Sequence, residues 1–424
     1  MASTPACARR RAIRLASVVP PSKRTRIMAN SPAAPWLIII GLGEDGMAGL
    51  PAARQTELAN AELIFGGPRH LALINAGDRG CPWPVPFSID PVLAARGRKV
   101  VVLASGDPFW FGAGTRLAAN LSPEEWIAHP APSTFSLAAS RLGWALEHVA
   151  CIALHAAPFE RLKPVLHSKG RIICLIRDGS AVGSLAKWLT EQGFGSSTLH
   201  IMEALGGPQE RIRTVICQQF AYTDVRAPVA VALTLCGPAG LSRASGLPDN
   251  TFLHDGQITK RPIRALTLST LAPRPGDLLW DIGAGSGSIS LEWCLASGQA
   301  IAVEPRADRA ANIRASASAL GLEPVIQVVE GRAPQILHDL PTPDAVFIGG
   351  GASSAMLEYV WENVPSGTRI VANGVTLETE ALLATWYGHK GGDLLRIELA
   401  NAAPLGTMQG WIPARPIVQW NIVR

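Results

Sequence analysis

The chain has 424 residues, 48% of them hydrophobic and 17% charged, enough apolar material for two or three domains with their own cores. The formal net charge of +5 suggests a polyanionic partner until it is located: residues 1–35 hold Arg9, Arg10, Arg11, Arg14, Lys23, Arg24 and Arg26 and no acid, and 38 Lys and Arg less these seven leave 31 against 33 Asp and Glu, which argues against a nucleic-acid surface. The seven cysteines never form a CxxC and the nine histidines form no HxxxH, so a dedicated metal site is not expected; no phosphate-loop or GxSxG stretch supports kinase or serine-hydrolase chemistry.

In chain order, residues 1–35 read as a disordered basic leader, Arg-rich and acid-free like a transit segment. Met28 opens a second plausible start, so the first 27 residues are expected to be an extension or leader without a fold. No run of about 18 apolar residues is present to span a bilayer, and the expected location is the cytoplasm.

Trp36–Ile40 is an apolar run of buried-strand type, followed by Gly41, Gly43 and Gly46 in GLGEDG. Although this matches GxGxxG, Pro51 is expected to interrupt the receiving helix and no strand-ending acid follows, which disfavours a dinucleotide fold. Val100–Gly112 is a second strand ending in Ser105, Gly106, Asp107 and Pro108, and Pro132–Phe135 leads into a helix expected over Ser136–Leu146. Further strands are expected at Arg171–Arg177, Thr198–Met202 and Val229–Cys236. These three loops in register resemble the tetrapyrrole methylase family. The resemblance implies a two-lobed class III fold over residues 36–237, with S-adenosylmethionine (SAM) held in a cleft by backbone at Gly41, Gly43, Gly106, Asp107 and Pro108.

Residues 238–253 concentrate Gly, Pro, Ser and Asn without apolar periodicity and read as a linker. Thr259, Lys260, Arg261 and Arg264 then lie on a stretch expected to be helical, its other face being Ile263, Leu266 and Leu271. Leu278–Gly287 is a strand ending in Asp281 and running into Gly283, Gly285 and Gly287, with Ala284 and Ser286 between them. Seventeen residues beyond Gly287 a second strand, Ala300–Val303, ends in Glu304, placed to accept hydrogen bonds from a ribose while supporting little of the fold. GxGxG is too tight for the pyrophosphate site of a dehydrogenase. Strands at Val325–Glu330, Asp344–Ile348 and Arg369–Ala372 alternate with helices at Arg306–Leu320 and near Ser353–Asn363, giving an α/β doubly wound Rossmann-like sheet over 254–424, closed by an antiparallel edge hairpin of Leu394–Leu399 and Ile417–Val423.

This half resembles the class I SAM methyltransferases and, through HDGQITKRPIRA, WDIGAGSGSISLEW, VEGRAP and FIGGG, the decarboxylating corrin methyltransferases. The fusion of both halves in this order resembles the bifunctional methyltransferases of cobalamin biosynthesis. It implies two SAM sites, the second lined by Thr259, Asp281, Gly283–Gly287, Glu304 and Ala333, with Glu330 left in solvent. It also implies a polycarboxylate tetrapyrrole methylated at carbons 5 and 15, with loss of the carbon 12 acetate carboxyl. Methyl transfer needs alignment more than acid–base machinery, so no catalytic dyad is expected. Lys260, Arg261, Arg264 and Arg306 are the candidate cations for substrate carboxylates. No Asn/Asp-Pro-Pro-aromatic base clamp stands at FIGGG, against an RNA methyltransferase; no nucleic acid or membrane partner is expected, whereas a homo-oligomer is. The equivalent reaction on a cobalt-containing substrate and a non-catalytic SAM sensor stay open.

Overall fold

The computed structural model describes residues 35–424. The expected basic leader falls almost wholly outside the described residues. Two compact units divide the chain, one closing at Gly240 and the other running from Leu241 to Arg424. No helix among the described residues is long and apolar enough to cross a membrane.

The first unit contains two sheets. The first has β1 (Leu37–Leu42), β2 (Leu63–Gly66), β3 (Gly80–Pro82), β4 (Val100–Ser105) and β5 (Trp126–His129), parallel, in the order β3-β2-β4-β1-β5. LIIIGL and VVVLA are apolar at almost every position because both faces are covered, so they show no alternation. β1 and β4 pair from Leu37 with Val100 to Leu42 with Ser105, so the loops that follow leave the sheet at one level.

The second sheet holds β6 (Ala150–Ala153), β7 (Arg171–Ile176), β8 (Thr198–Glu203), β9 (Arg211–Ile216) and β10 (Val229–Thr234), in the order β6-β7-β10-β8-β9 with only the β6–β7 pair parallel. The helix expected over Ser136–Leu146 runs instead over Thr134–Leu142, capped by the Ser133 hydroxyl at its start and stopped by Gly143 at φ 63°. Pro51 does not interrupt a helix. It precedes the first residue of Ala52–Ala59, where a missing N–H costs nothing.

In the second unit β11 (Leu278–Ile282), β12 (Gln299–Glu304), β13 (Ile326–Glu330), β14 (Ala345–Ile348) and β15 (Arg369–Gly374) are parallel. β16 (Asp393–Ile397), β17 (Ala400–Leu405), β18 (Met408–Pro413) and β19 (Ile417–Val423) complete it, and the sheet order is β13-β12-β11-β14-β15-β19-β16. The expected edge hairpin is therefore modified: β19 inserts antiparallel between β15 and β16, and the intervening residues form a separate β17–β18 ribbon. β11 lies where the strand order reverses, the position from which an open α/β sheet presents a ligand loop.

The helix at the basic stretch spans Arg261–Leu271, so Thr259 and Lys260 precede it. Its buried side carries Ile263, Arg264, Thr267, Leu268 and Leu271, while Leu266, expected on the apolar face, is exposed. Part of the stretch read as a linker packs into this unit: Leu247 and Phe252 join the core formed by Leu268, Leu279, Ile289 and Trp293.

Candidate functional site

The second unit builds its site from the loop after β11. Gly283, Gly285 and Gly287 all have positive φ, at 69°, 58° and 69°. A methyl group on Gly283 would lie 2.8 Å from the Gly350 carbonyl oxygen, and one on Gly287 would lie 2.8 Å from the Ile313 side chain. At Gly285 it would meet nothing within 4 Å. Two glycines therefore serve packing, and the middle one faces open space.

Asp281 is buried; its Oδ2 accepts from Ser290 N at 3.2 Å and Ser290 Oγ at 2.6 Å, while Oδ1 is buried with no hydrogen-bond partner in the structure. Burial pushes its carboxyl up to about 6, against the Ser290 hydrogen bonds and with the Glu304 carboxylate adding to the rise. Glu304 does more than the sequence suggests. Its Oε2 accepts from Gly285 N at 2.8 Å and its Oε1 from Arg306 N at 3.0 Å, so it braces the glycine loop before any ribose arrives. Thr259 and Ala333 are half-buried, and Ala333 follows β13, beside the end of β12. Exposed Glu330 pairs with Arg314 at 2.6 Å.

The four candidate cations separate. Arg264 is fully buried: its guanidinium meets Glu292 at 2.6 Å, Asp249 at 3.1 Å, the Thr259 carbonyl at 2.5 Å and the Leu247 carbonyl. Glu292 in turn accepts from Gly246 N and Leu247 N. Arg264 thus ties residues 246–249 and 259 to the helix Ser288–Leu295, and it is not available to a substrate carboxylate. Its helical register with Ile263 and Leu268 hid this, because a charged residue in an apolar pattern reads as surface unless its buried partner, 28 positions away, is known. Arg306 is exposed but pairs with Asp308, and with Asp255 at 3.8 Å. Lys260 is exposed with its ammonium 3.8 Å from Asp249, and Arg261 is exposed.

In the first unit a cleft of about 1010 Å³ lies at the carboxyl ends of the parallel strands, and Gly43, Gly106, Pro132 and Thr134 line it. A methyl group on Gly41 would strike the Gly106 carbonyl and the Ala131 amide, so Gly41 serves the close approach of three backbones and stays behind the cleft surface. Asp107 Oδ1 accepts from Phe109 N at 2.9 Å and the Pro108 carbonyl accepts from Gly114 N at 3.0 Å. Those two residues shape the loop rather than line the cleft.

Sequence reading missed a polar group on the same cleft, Glu44, Arg69, His70 and Ser105. The signal available was GGPRHL directly after a buried strand, with Pro68 opening a helix at Gly67. Among the described residues no group of three or more His, Cys, Asp or Glu could hold a metal ion.

The chain matches a family model for tetrapyrrole (corrin/porphyrin) methylases over residues 37–220, and one for a precorrin methyltransferase domain over residues 250–424. It is 46% identical to a decarboxylating precorrin-6Y C(5,15)-methyltransferase of a Sinorhizobium species, over 92% of this chain and 96% of that one. A protein of the same name from Mycobacterium tuberculosis is 38% identical over 92% of this chain and 100% of its own length. The crystal structure of the C-terminal domain of precorrin-6Y C5,15-methyltransferase from Rhodobacter capsulatus is 57% identical, covering 43% of this chain and all of that one, with a TM-score of 0.43.

Proposed function

This chain belongs to the family of decarboxylating precorrin-6Y C(5,15)-methyltransferases, and from that premise we propose that each unit is a separate catalyst with its own SAM site. It is a SAM-dependent methyltransferase acting on a tetrapyrrole in cobalamin biosynthesis. The first unit methylates carbon 5. The second methylates carbon 15 and releases the carbon 12 acetate carboxyl as carbon dioxide.

The Glu304 carboxylate at the end of β12 accepting from Gly285 N, with open space over that glycine, is the observation that carries the second site, because it joins the strand-end acid to a loop whose backbone a ligand can approach. When bound, SAM supplies an electrophilic methyl group. Glu304, at the end of β12, would hold the ribose hydroxyls, and Asp281 beneath the glycine loop keeps a buried Oδ1 without a partner. In the first unit Gly43, Gly106 and Thr134 surround the donor with backbone and one hydroxyl. Exposed Lys260, Arg261 and Arg306 meet substrate carboxylates as charge-assisted partners. Each site aligns methyl and ring carbon and excludes water, and the conjugated macrocycle takes the electron pair left by the departing carboxyl.

Incubation with SAM and metal-free precorrin-6Y, followed by mass spectrometry, is expected to show two methyl groups gained and one carbon dioxide lost. Binding without turnover would make the protein a sensor, and turnover of only a cobalt-loaded substrate would shift the reading to that form.

We further propose a homo-oligomer closed through the β17–β18 ribbon. Residues 400–413 carry no charged side chain and expose Leu405, Met408, Trp411 and Ile412. A two-stranded ribbon with an uncovered apolar surface is marginal alone, and an identical uncharged ribbon complements it. Sedimentation of Trp411→Glu should show dissociation.

A further inference from the structure

The polar group in the first cleft lines the same cavity as Gly43, Gly106 and Thr134, the residues assigned to the methyl donor, and none of its four side chains is used in that assignment. β2, β4 and β1 are neighbours and parallel, and their carboxyl ends deliver one part each: Glu44 follows β1, the helix Pro68–Leu73 with Arg69 and His70 follows β2, and Ser105 ends β4. Ser105 directly precedes Gly106 of the donor loop.

Hydrogen-bond roles within the group are determined by the donors. His70 Nε2 lies 2.8 Å from Ser105 Oγ and 3.1 Å from Arg69 Nη2, and Arg69 Nη2 is 3.4 Å from Ser105 Oγ. An N–H on Nε2 would face the Arg69 N–H groups, so Nε2 presents its lone pair and the neutral ring carries its hydrogen on Nδ1, which is buried without a hydrogen-bond partner. Nε2 has one lone pair and accepts from one donor at a time; with Arg69 donating to Ser105 Oγ, the hydroxyl hydrogen is the one directed at Nε2. Arg69 is also ion-paired with Glu44, which leaves that carboxylate engaged. Burial, with the Arg69 guanidinium beside the ring, pushes the His70 imidazole down to about 4 and keeps it neutral. Ser105 is exposed at the strand end and reaches the cleft.

Resting on the reading of the first unit as the carbon 5 methyltransferase, we propose that Ser105 and His70 form a relay that takes up the proton the macrocycle loses on methylation. When a ring carbon attacks the sulfonium methyl, a carbon–carbon bond forms, the carbon–sulfur bond breaks and a neutral thioether leaves. The positive charge stays on the macrocycle until a proton departs. Ser105 Oγ accepts that proton as its own hydrogen passes to His70 Nε2. The imidazolium formed beside Arg69 is short-lived and releases the proton to water, the charge being offset meanwhile by Glu44 and the substrate carboxylates.

The full-length protein, SAM and the reduced tetrapyrrole test this by product mass. Ser105→Ala and His70→Gln should accumulate a product with the carboxyl lost and the carbon 15 methyl gained but lacking the second methyl, at carbon 5, methylation there slowing about 10²- to 10⁴-fold while SAM affinity of the first unit and Tm hold. Gln is the informative substitution because it can still accept from Ser105 but cannot take up a proton. Ser105→Thr, which retains the hydroxyl, should keep the second methylation. Wild-type rates in His70→Gln, or loss of SAM binding or Tm together with the second methyl, would overturn the relay. A wild-type protein that adds no second methyl would overturn the functional reading and the relay with it.

Discussion

Gly41 sits near the end of the buried parallel strand β1 and Gly285 in the loop after β11, and a methyl group on each would meet different surroundings. At Gly41 it would meet the backbone of Gly106 and Ala131, and at Gly285 nothing within 4 Å. Gly41 serves the protein's own packing, whereas Gly285 leaves open space beside its backbone, where the proposal puts the ligand. The units differ in the same way in their carboxylates. In the second unit Glu304 and Asp281 stand at strand ends with backbone and hydroxyl partners, whereas in the first Glu44 is engaged by an arginine. A glycine-rich loop in sequence therefore does not identify a ligand site until the space beside each Cα is known.

The largest expected effect separates fold from site in the second unit. Removing one partner of a buried ion pair costs about 3–5 kcal/mol, because the other charge is left buried and unpaired. Arg264→Ala should lower the second unit's melting temperature by several degrees and leave SAM binding in the first unit intact. A substrate-binding Arg264 would instead raise KM with an unchanged melting temperature.

Gly285→Val should abolish SAM binding at one of two sites in calorimetry, with a modest loss of stability from a β-branched residue at positive φ, about 1–2 kcal/mol. Gly41→Ala should do the reverse, lowering the first unit's melting temperature through backbone collision. Equal behaviour of the two variants would remove the distinction.

Glu304→Gln should weaken SAM binding about tenfold to a hundredfold, since charge-assisted hydrogen bonds contribute roughly 1.5–3 kcal/mol. Because Glu304 also accepts from Gly285 and Arg306, the ligand-free melting temperature should fall slightly rather than stay constant. Normal SAM affinity with a large drop in that midpoint would make it a brace alone.

The smallest effect has opposite signs in the two units. Asp281 has its folded value raised from 3.8 to about 6, so the folded second unit holds a proton the unfolded chain has lost, and its stability falls as pH rises from about 4 through 6. His70 has its folded value lowered from 6.5 to about 4, so its contribution is present above 6.5 and is lost as pH falls through 4. Melting curves between these pH values should lose the first slope in Asp281→Asn and the second in His70→Gln. Unchanged slopes would show that other groups dominate.

How much was legible follows from the range of the forces involved. Apolar runs at Trp36–Ile40, Val100–Ala104 and Leu278–Ile282 mark buried parallel strands because two covered faces demand apolar side chains at every position. The acid-then-glycine loop after β11 and the acid at the end of β12 were legible because both are defined over a few residues. Short or edge strands such as β5, β6 and β9 were not, since their mixed composition depends on neighbours for its meaning.

The amino-acid pattern alone carried the two parallel sheets with glycine-bearing loops at their strand ends, and the family to which the fusion belongs. Only the tertiary structure decided that Arg264 is an anchor, that β19 lies inside the sheet, and that Glu44, Arg69, His70 and Ser105 share one cleft. Each of these depends on groups tens of residues apart, and contact between them is set by strand order and register, which local pattern does not encode.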